Sequence, residues 1–188
     1  MSTKGRYTNG NIEFYESTTR EPVIIGAPVV LFDDFTGIAL DATNDWTVAG
    51  VNSGTAAINI ATGGTCRITT GAADDDDVDV ATGLIWKASK ACCMEVRFAP
   101  NDESGTAYAI GFTDATGEAA DLLPVTYATA TLTSTATDCA MFFHDPDATT
   151  DVIRCVAVKA DTDGTVTSTG TAAADGTYNT YRVEINED

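Results

Sequence analysis

Short runs of alternating apolar and polar residues, each cut off by a turn-forming cluster, constrain this 188-residue chain more than any other feature. Residues 92–99 show the pattern: Met94, Val96 and Phe98 alternate with Glu95 and Arg97. A period of two places one set of side chains on each face of a half-buried strand, and suits no helix. Residues 152–160 and 178–186 repeat it, the latter with Tyr181, Val183 and Ile185 on one face. Further strands are expected over 28–35, 45–51 (Trp46 and Val48 together), 56–61, 66–70, 78–85, 106–113 and 139–143. Asn52-Ser53-Gly54, Asp102-Glu103-Ser104-Gly105, Asp161-Thr162-Asp163-Gly164 and Asp175-Gly176 supply the turns. Lys, Glu and Leu are scarce beside Thr, Ala, Gly and Asp, so strong helix formers are missing, and one helical turn near 117–122 is all that is expected. Regular short strands with polar turns predict an all-β, antiparallel β-sandwich.

The first 28 residues read differently. Asn9-Gly10-Asn11 signals a turn, Ile12-Glu13-Phe14-Tyr15 suits a short edge strand, and Pro22 and Pro28 favour extended backbone. Residues 1–28 are therefore expected to form an extended N-terminal arm, and 29–188 the sandwich domain. Charge follows the same division. Residues 1–20 hold three basic side chains (Lys4, Arg6, Arg20) against two acidic ones, leaving seven basic against twenty-six acidic for the rest. An arm of this kind gains little by packing on itself and becomes ordered on a neighbour. Ile12, Phe14 and Tyr15 are its expected anchors, because aromatic and large apolar groups dominate interface energies, with Arg6 and Arg20 meeting acidic rims.

The formal charge of −18 argues against a nucleic-acid partner, since a polyphosphate would be repelled and would release no counterions to the chain. No secretory leader follows Met1, and the longest apolar run, 23–32, is broken by Gly26 and Pro28 and too short to span a bilayer. Neither a membrane partner nor export is expected. The five cysteines (Cys66, Cys92, Cys93, Cys139, Cys155) lack CxxC spacing, which suits buried thiols made in a reducing cytoplasm better than a zinc site.

No catalytic set and no cofactor are expected. Glu95 and Glu184 are the strand carboxylates to test as a glycosidase pair, but each alternates with apolar neighbours and reads as an outer-face residue. Asp74-Asp75-Asp76-Asp77 is the densest charge run; it lacks the alternating spacing and the glycine of a calcium loop, so a solvated acidic loop is the reading, with calcium the alternative left open. His144, the one histidine, has no cysteine or serine partner at catalytic or metal-ligand spacing and is expected to end a strand. Trp46 reads as core; Trp86, Tyr108 and Tyr127 are the aromatics that a sugar-binding face would use.

Four motifs carry a resemblance. Phe32-Asp33-Asp34-Phe35 with Trp46 a turn later, Ala109-Ile110-Gly111-Phe112-Thr113-Asp114, and Asp175-Gly176-Thr177-Tyr178-Asn179-Thr180-Tyr181-Arg182-Val183-Glu184-Ile185 resemble, in that order, the concanavalin A-like jelly-roll superfamily over about residues 29–188. The leading Gly5-Arg6-Tyr7-Thr8-Asn9-Gly10-Asn11-Ile12-Glu13-Phe14-Tyr15-Glu16 is similar to the start of structural proteins of tailed-bacteriophage heads. Together they resemble phage capsid decoration (cement) proteins. The resemblance implies a jelly roll on the outer capsid surface of a virion, made in the host cytoplasm. It would bind the major capsid protein and neighbouring copies of itself as a homo-oligomer. A carbohydrate-binding module for glycan adhesion is the alternative. The superfamily usually adds an E-D-G-type turn and one more strand after the R-x-E-x motif. Here Asn186-Glu187-Asp188 stands where that turn should begin, so either the sheet closes differently or the last strand comes from elsewhere, such as an arm, since an uncapped edge would be open to pairing.

Overall fold

A computed structural model describes residues 3–8, 11–16, 22–23, 31–43, 45–50, 53–59, 63–72, 76–115 and 123–186. Contacts divide the chain into two units, Met1–Asp34 and Phe35–Asp188. Among the described residues every regular element is a β-strand apart from one 3-10 turn at Ala88–Lys90, and every strand pairing is antiparallel. The all-β expectation holds at that level.

The first unit holds paired strands in the segment read from sequence as an extended arm. β1 (Thr3–Thr8), β2 (Asn11–Glu16) and β3 (Pro22–Val23) form a three-stranded meander in the order β1-β2-β3. β1 and β2 pair along all six residues, from Thr8 opposite Asn11 to Thr3 opposite Glu16. The Asn9-Gly10 turn signal has a strand on each side, and the backbone groups that β1 and β2 turn toward each other are met locally. The strand expected over 28–35 is also absent where it is described. Residues 31–35 are irregular, Phe32 is 83% exposed, and Phe35 takes a left-handed φ of 54° that no continuing strand accepts.

The second unit is built around one sheet of β9 (Tyr108–Thr113), β12 (Cys139–His144) and β13 (Arg154–Lys159), with the two-residue strands β14 (Thr162–Asp163) and β15 (Thr167–Ser168) both lying along β13. β12 is central, with Met141 opposite Gly111 on one side and Val156 on the other. Its two faces bury different clusters. Cys139, Met141 and Phe143 join Val156 and Val158, and this face is covered by the hairpin of β10 (Val125–Ala128) and β11 (Thr131–Ser134) through Val125, Tyr127 and Leu132. On the other face Phe142 and Ile110 meet Tyr108, Phe98 and Tyr181, which brings in the pair β8 (Cys92–Phe98) and β16 (Asn179–Ile185). The Phe142 and Tyr181 rings stand edge to face at 5.6 Å. Three layers result, with the buried apolar groups on both sides of β12.

The β10–β11 hairpin has no counterpart in the sequence reading. Its turn is Thr129-Ala130, without glycine or asparagine, and Thr129 takes a φ of 59°. Long-range hydrogen bonds hold it there: the Thr129 N–H donates to Asp147 O at 2.8 Å, and Thr149 donates to Thr129 O through its N–H (2.9 Å) and hydroxyl (2.6 Å). The β13–β14 turn falls one residue before the expected cluster, at Ala160 and Asp161, both with positive φ.

Residues before β8 are less well covered. β4 (Thr47–Gly50) pairs with β7 (Val78–Ala81), and β5 (Thr55–Ile58) with β6 (Cys66–Thr69). Trp46 is half-buried with its ring 5.9 Å from that of Phe35, but Val48 is exposed, and the strand expected to reach 85 stops at Ala81 with Leu84 and Ile85 in solvent. The helical turn expected near 117–122 lies outside the described residues.

Candidate functional site

Register places four of the five expected anchors on the meander. Arg6 stands opposite Glu13, Ile12 opposite Tyr7, Phe14 opposite both Gly5 and Val23, and Tyr15 opposite both Lys4 and Pro22. Ile12 and Phe14 occupy register positions of one parity, Arg6 and Tyr15 those of the other, so a single face does not collect them all. Arg20 lies outside the described residues.

The chemically richest place is one that the sequence reading passed over. At one end of the central sheet His144, Asp145 and Arg154 are all buried. His144, the last residue of β12 as expected, is wholly enclosed. Its Nε2 lies 2.6 Å from Asp151 Oδ1, its Nδ1 lies 3.4 Å from Thr106 O, and its ring stacks on Tyr108 at 5.3 Å. The Tyr108 hydroxyl in turn meets that of Tyr181 at 3.2 Å, and burial followed by that hydrogen bond pushes the Tyr108 phenol far above its ordinary range. Arg154 donates to Val152 O (2.9 Å), Thr150 O (2.6 Å) and Thr150 Oγ1 (2.8 Å), with its guanidinium 4.8 Å from the Tyr127 ring centre. Asp145 accepts from the N–H groups of Tyr127 (2.7 Å) and Asp147 (3.0 Å). Both imidazole nitrogens face acceptors, so the cluster ties buried polar groups together and pins residues 145–151 to the sheet. A charged residue at an inward position of an alternating strand, Arg154, was the signal available in the sequence.

The carboxylates fall into separate surface sites. Glu95 and Glu184 flank Arg182 on the outer face of β8–β16, at 3.5 and 2.5 Å, all three more than half exposed. The Arg182 guanidinium bridges the two carboxylates. Asp114 caps the β11–β12 connection: it accepts from the Thr137 hydroxyl and from the N–H groups of Thr137 (3.1 Å) and Asp138 (3.0 Å). The hydroxyl, more than any other contact, holds its carboxyl below the usual range. Burial and then Asp77 push Asp79 up. Of the expected acidic run, Asp74 and Asp75 lie outside the described residues, and among the described residues no group of three or more His, Cys, Asp or Glu could hold a metal ion.

The sugar-facing aromatics are not gathered on an open surface. Tyr108 is buried, Tyr127 is half-buried beneath Arg154, and Trp86 is half-buried with its Nε1 donating to Thr82 Oγ1 at 2.7 Å. Tyr178 is about half exposed, but Arg97 lies over its ring at 4.3 Å. Burial of the thiols is also uneven: Cys139 is buried, which raises its thiol, while Cys93 is exposed, against the expectation that all are enclosed. Among the described residues no helix is long and apolar enough to cross a membrane. Compared with known proteins, the chain matches no family model, no curated protein and no solved structure.

Proposed function

We propose that this chain is a structural virion protein, a decoration or cement protein that sits on the outer surface of a tailed-phage head and stiffens the shell. Its body would be a concanavalin A-like jelly-roll sandwich, and its partners the major capsid protein and neighbouring copies of itself. The observation that carries the reading is the leading segment. It clusters as a unit apart from the rest and contains the weakly basic residues 1–20, ahead of a strongly acidic body. A short β-unit of this kind suits attachment by strand addition, in which backbone hydrogen bonds supply affinity. Many copies on a symmetric shell then multiply weak contacts into firm retention. The sandwich is supported by the packing of β8–β16 on β9–β12–β13 through Phe98, Tyr108, Phe142 and Tyr181. Glycan adhesion has less to recommend it, since Trp86, Tyr108 and Tyr127 present no shared open face.

Deletion of residues 2–20 tests the proposal. The truncated chain should fold yet fail to occupy purified shells that the full chain decorates, and full occupancy by the truncated chain would remove the segment from the mechanism.

A further inference from the structure

Among the described residues the strand β8 ends a layer with one edge unpaired. Its one strand partner among them is β16, paired without interruption from Cys92 opposite Ile185 to Phe98 opposite Asn179. Exposed edges are ordinarily blunted by proline, a bulge, shortness, an inward-pointing charge or repelling charges along the edge, and the two outward charges of β8, Glu95 and Arg97, are of opposite sign. β8 has seven residues, no proline, no glycine and no bulge, and its inward side chains are all apolar. Those inward residues are also incompletely covered. Met94, Val96 and Phe98 are half-buried, whereas Tyr181 and Val183 on the same face of β16 are 3% and 8% exposed. The difference between two strands of one pair, packed on the same sheet, is what a missing neighbour beyond β8 produces.

We propose that this edge pairs with β8 of a second copy, antiparallel about a two-fold axis at Val96. The outward charges select that register. With Val96 opposite its own copy, Glu95 stands opposite Arg97 of the other chain, and the symmetry makes this happen twice. Met94 stands opposite Phe98 on the inner face, also twice, so the half-covered apolar row is completed. A register centred on Glu95 would set like charges opposite each other, and one centred on Met94 would pair Glu95 with Cys93 and leave Arg97 beyond the strand. β16 has the same acid–base spacing in Arg182 and Glu184, but its central inward residues, Tyr181 and Val183, are already covered, so an added strand gains less there. The existing Glu95–Arg182 contact, at 3.5 Å between half-exposed groups, competes weakly.

Sedimentation equilibrium of the full chain free in solution decides the matter, and its outcome is independent of shell binding. The wild type should form a concentration-dependent dimer. Glu95→Arg and Arg97→Glu, made singly, each put like charges opposite one another twice and should weaken the dimer roughly tenfold or more. The two together exchange the charges and should restore it to within a few-fold. A wild type that stays monomeric at about 0.1 mM overturns the proposal. So does a dimer indifferent to the single changes, or one that the double exchange fails to rescue. If a single variant does not fold by circular dichroism, the wild type and the double exchange still decide.

Discussion

Gly111→Ala reverses an ordinary rule, and the reversal follows from the β9–β12 register. Replacing a glycine in a strand by alanine normally stabilises a protein by about 0.5–1 kcal/mol, because the unfolded chain loses freedom. Gly111 sits directly opposite Met141, and a Cβ placed on it would lie 2.2 Å from Ala140 O and 2.5 Å from both Cα and Cβ of Met141. Facing Cβ atoms on neighbouring strands usually stand about 4.5–5.5 Å apart. The added methyl would therefore have to drive β9 and β12 apart by about 2 Å at their centre, far enough to break ladder hydrogen bonds. None of the three crowding atoms is the far end of a flexible side chain, so relaxation has no easy route. Overpacking of a well-filled interior costs about 1–3 kcal/mol, and the disrupted ladder adds to it, so a loss of about 3 kcal/mol is expected. Urea unfolding followed by tryptophan fluorescence measures it as a lower midpoint at constant slope. A neutral or stabilising result would mean that Gly111 and Met141 are not opposite each other, and the central sheet described above would be wrong.

Two further outcomes follow from the loops. Thr129→Asn should raise stability by about 0.5 kcal/mol or more, since a β-branched residue at φ 59° carries strain of about 1–2 kcal/mol that asparagine largely avoids. An unchanged or lower urea midpoint would place the strain elsewhere. Asp114→Asn should flatten the acid side of the stability curve. The Asp114 pKa is depressed in the folded state, so between its folded and unfolded values the unfolded chain binds more protons and stability rises with pH. That contribution is present above the unfolded value, about pH 4, and is lost as the pH falls through the depressed one. The difference between variant and wild-type midpoints should therefore shrink on acidification, and a difference independent of pH would contradict the assignment.

What could be read from residues alone tracks how locally each feature is encoded. The inward set Met94, Val96 and Phe98, the pair Met141 and Phe143, and the row Tyr181, Val183 and Ile185 were legible, because a period of two needs no knowledge of the partner strand. The Thr129-Ala130 turn was not: what stabilises it is a set of bonds to Asp147 and Thr149, some twenty residues on. The buried site at His144 was hidden for the same reason, since Thr106 and Asp151 reach it from 38 and 7 residues away. The leading segment differs again. Asn9-Gly10 marked a turn, but Lys4, Gly5 and Arg6 interrupt any apolar alternation, so β1 carried no strand signal of its own.

Self-pairing of β1, β2 and β3 would change the energetics of the proposed attachment to a shell. An extended arm that orders on its partner gives up backbone freedom worth about 1–2 kcal/mol per residue at the moment of binding, which for some twenty residues amounts to tens of kcal/mol that the new interface must offset. A segment already held in a meander has lost that freedom on folding, so a smaller interface suffices for the same affinity. The cost is reach: paired strands cover less distance than the same residues fully drawn out. If the proposed attachment runs through β1–β3, it would therefore be a short-range event on one neighbouring subunit, at an edge such as β1, which pairs only with β2 among the described residues. A clasp spanning several subunits would need the meander to open, and that opening would return the entropic cost that the folded form avoids.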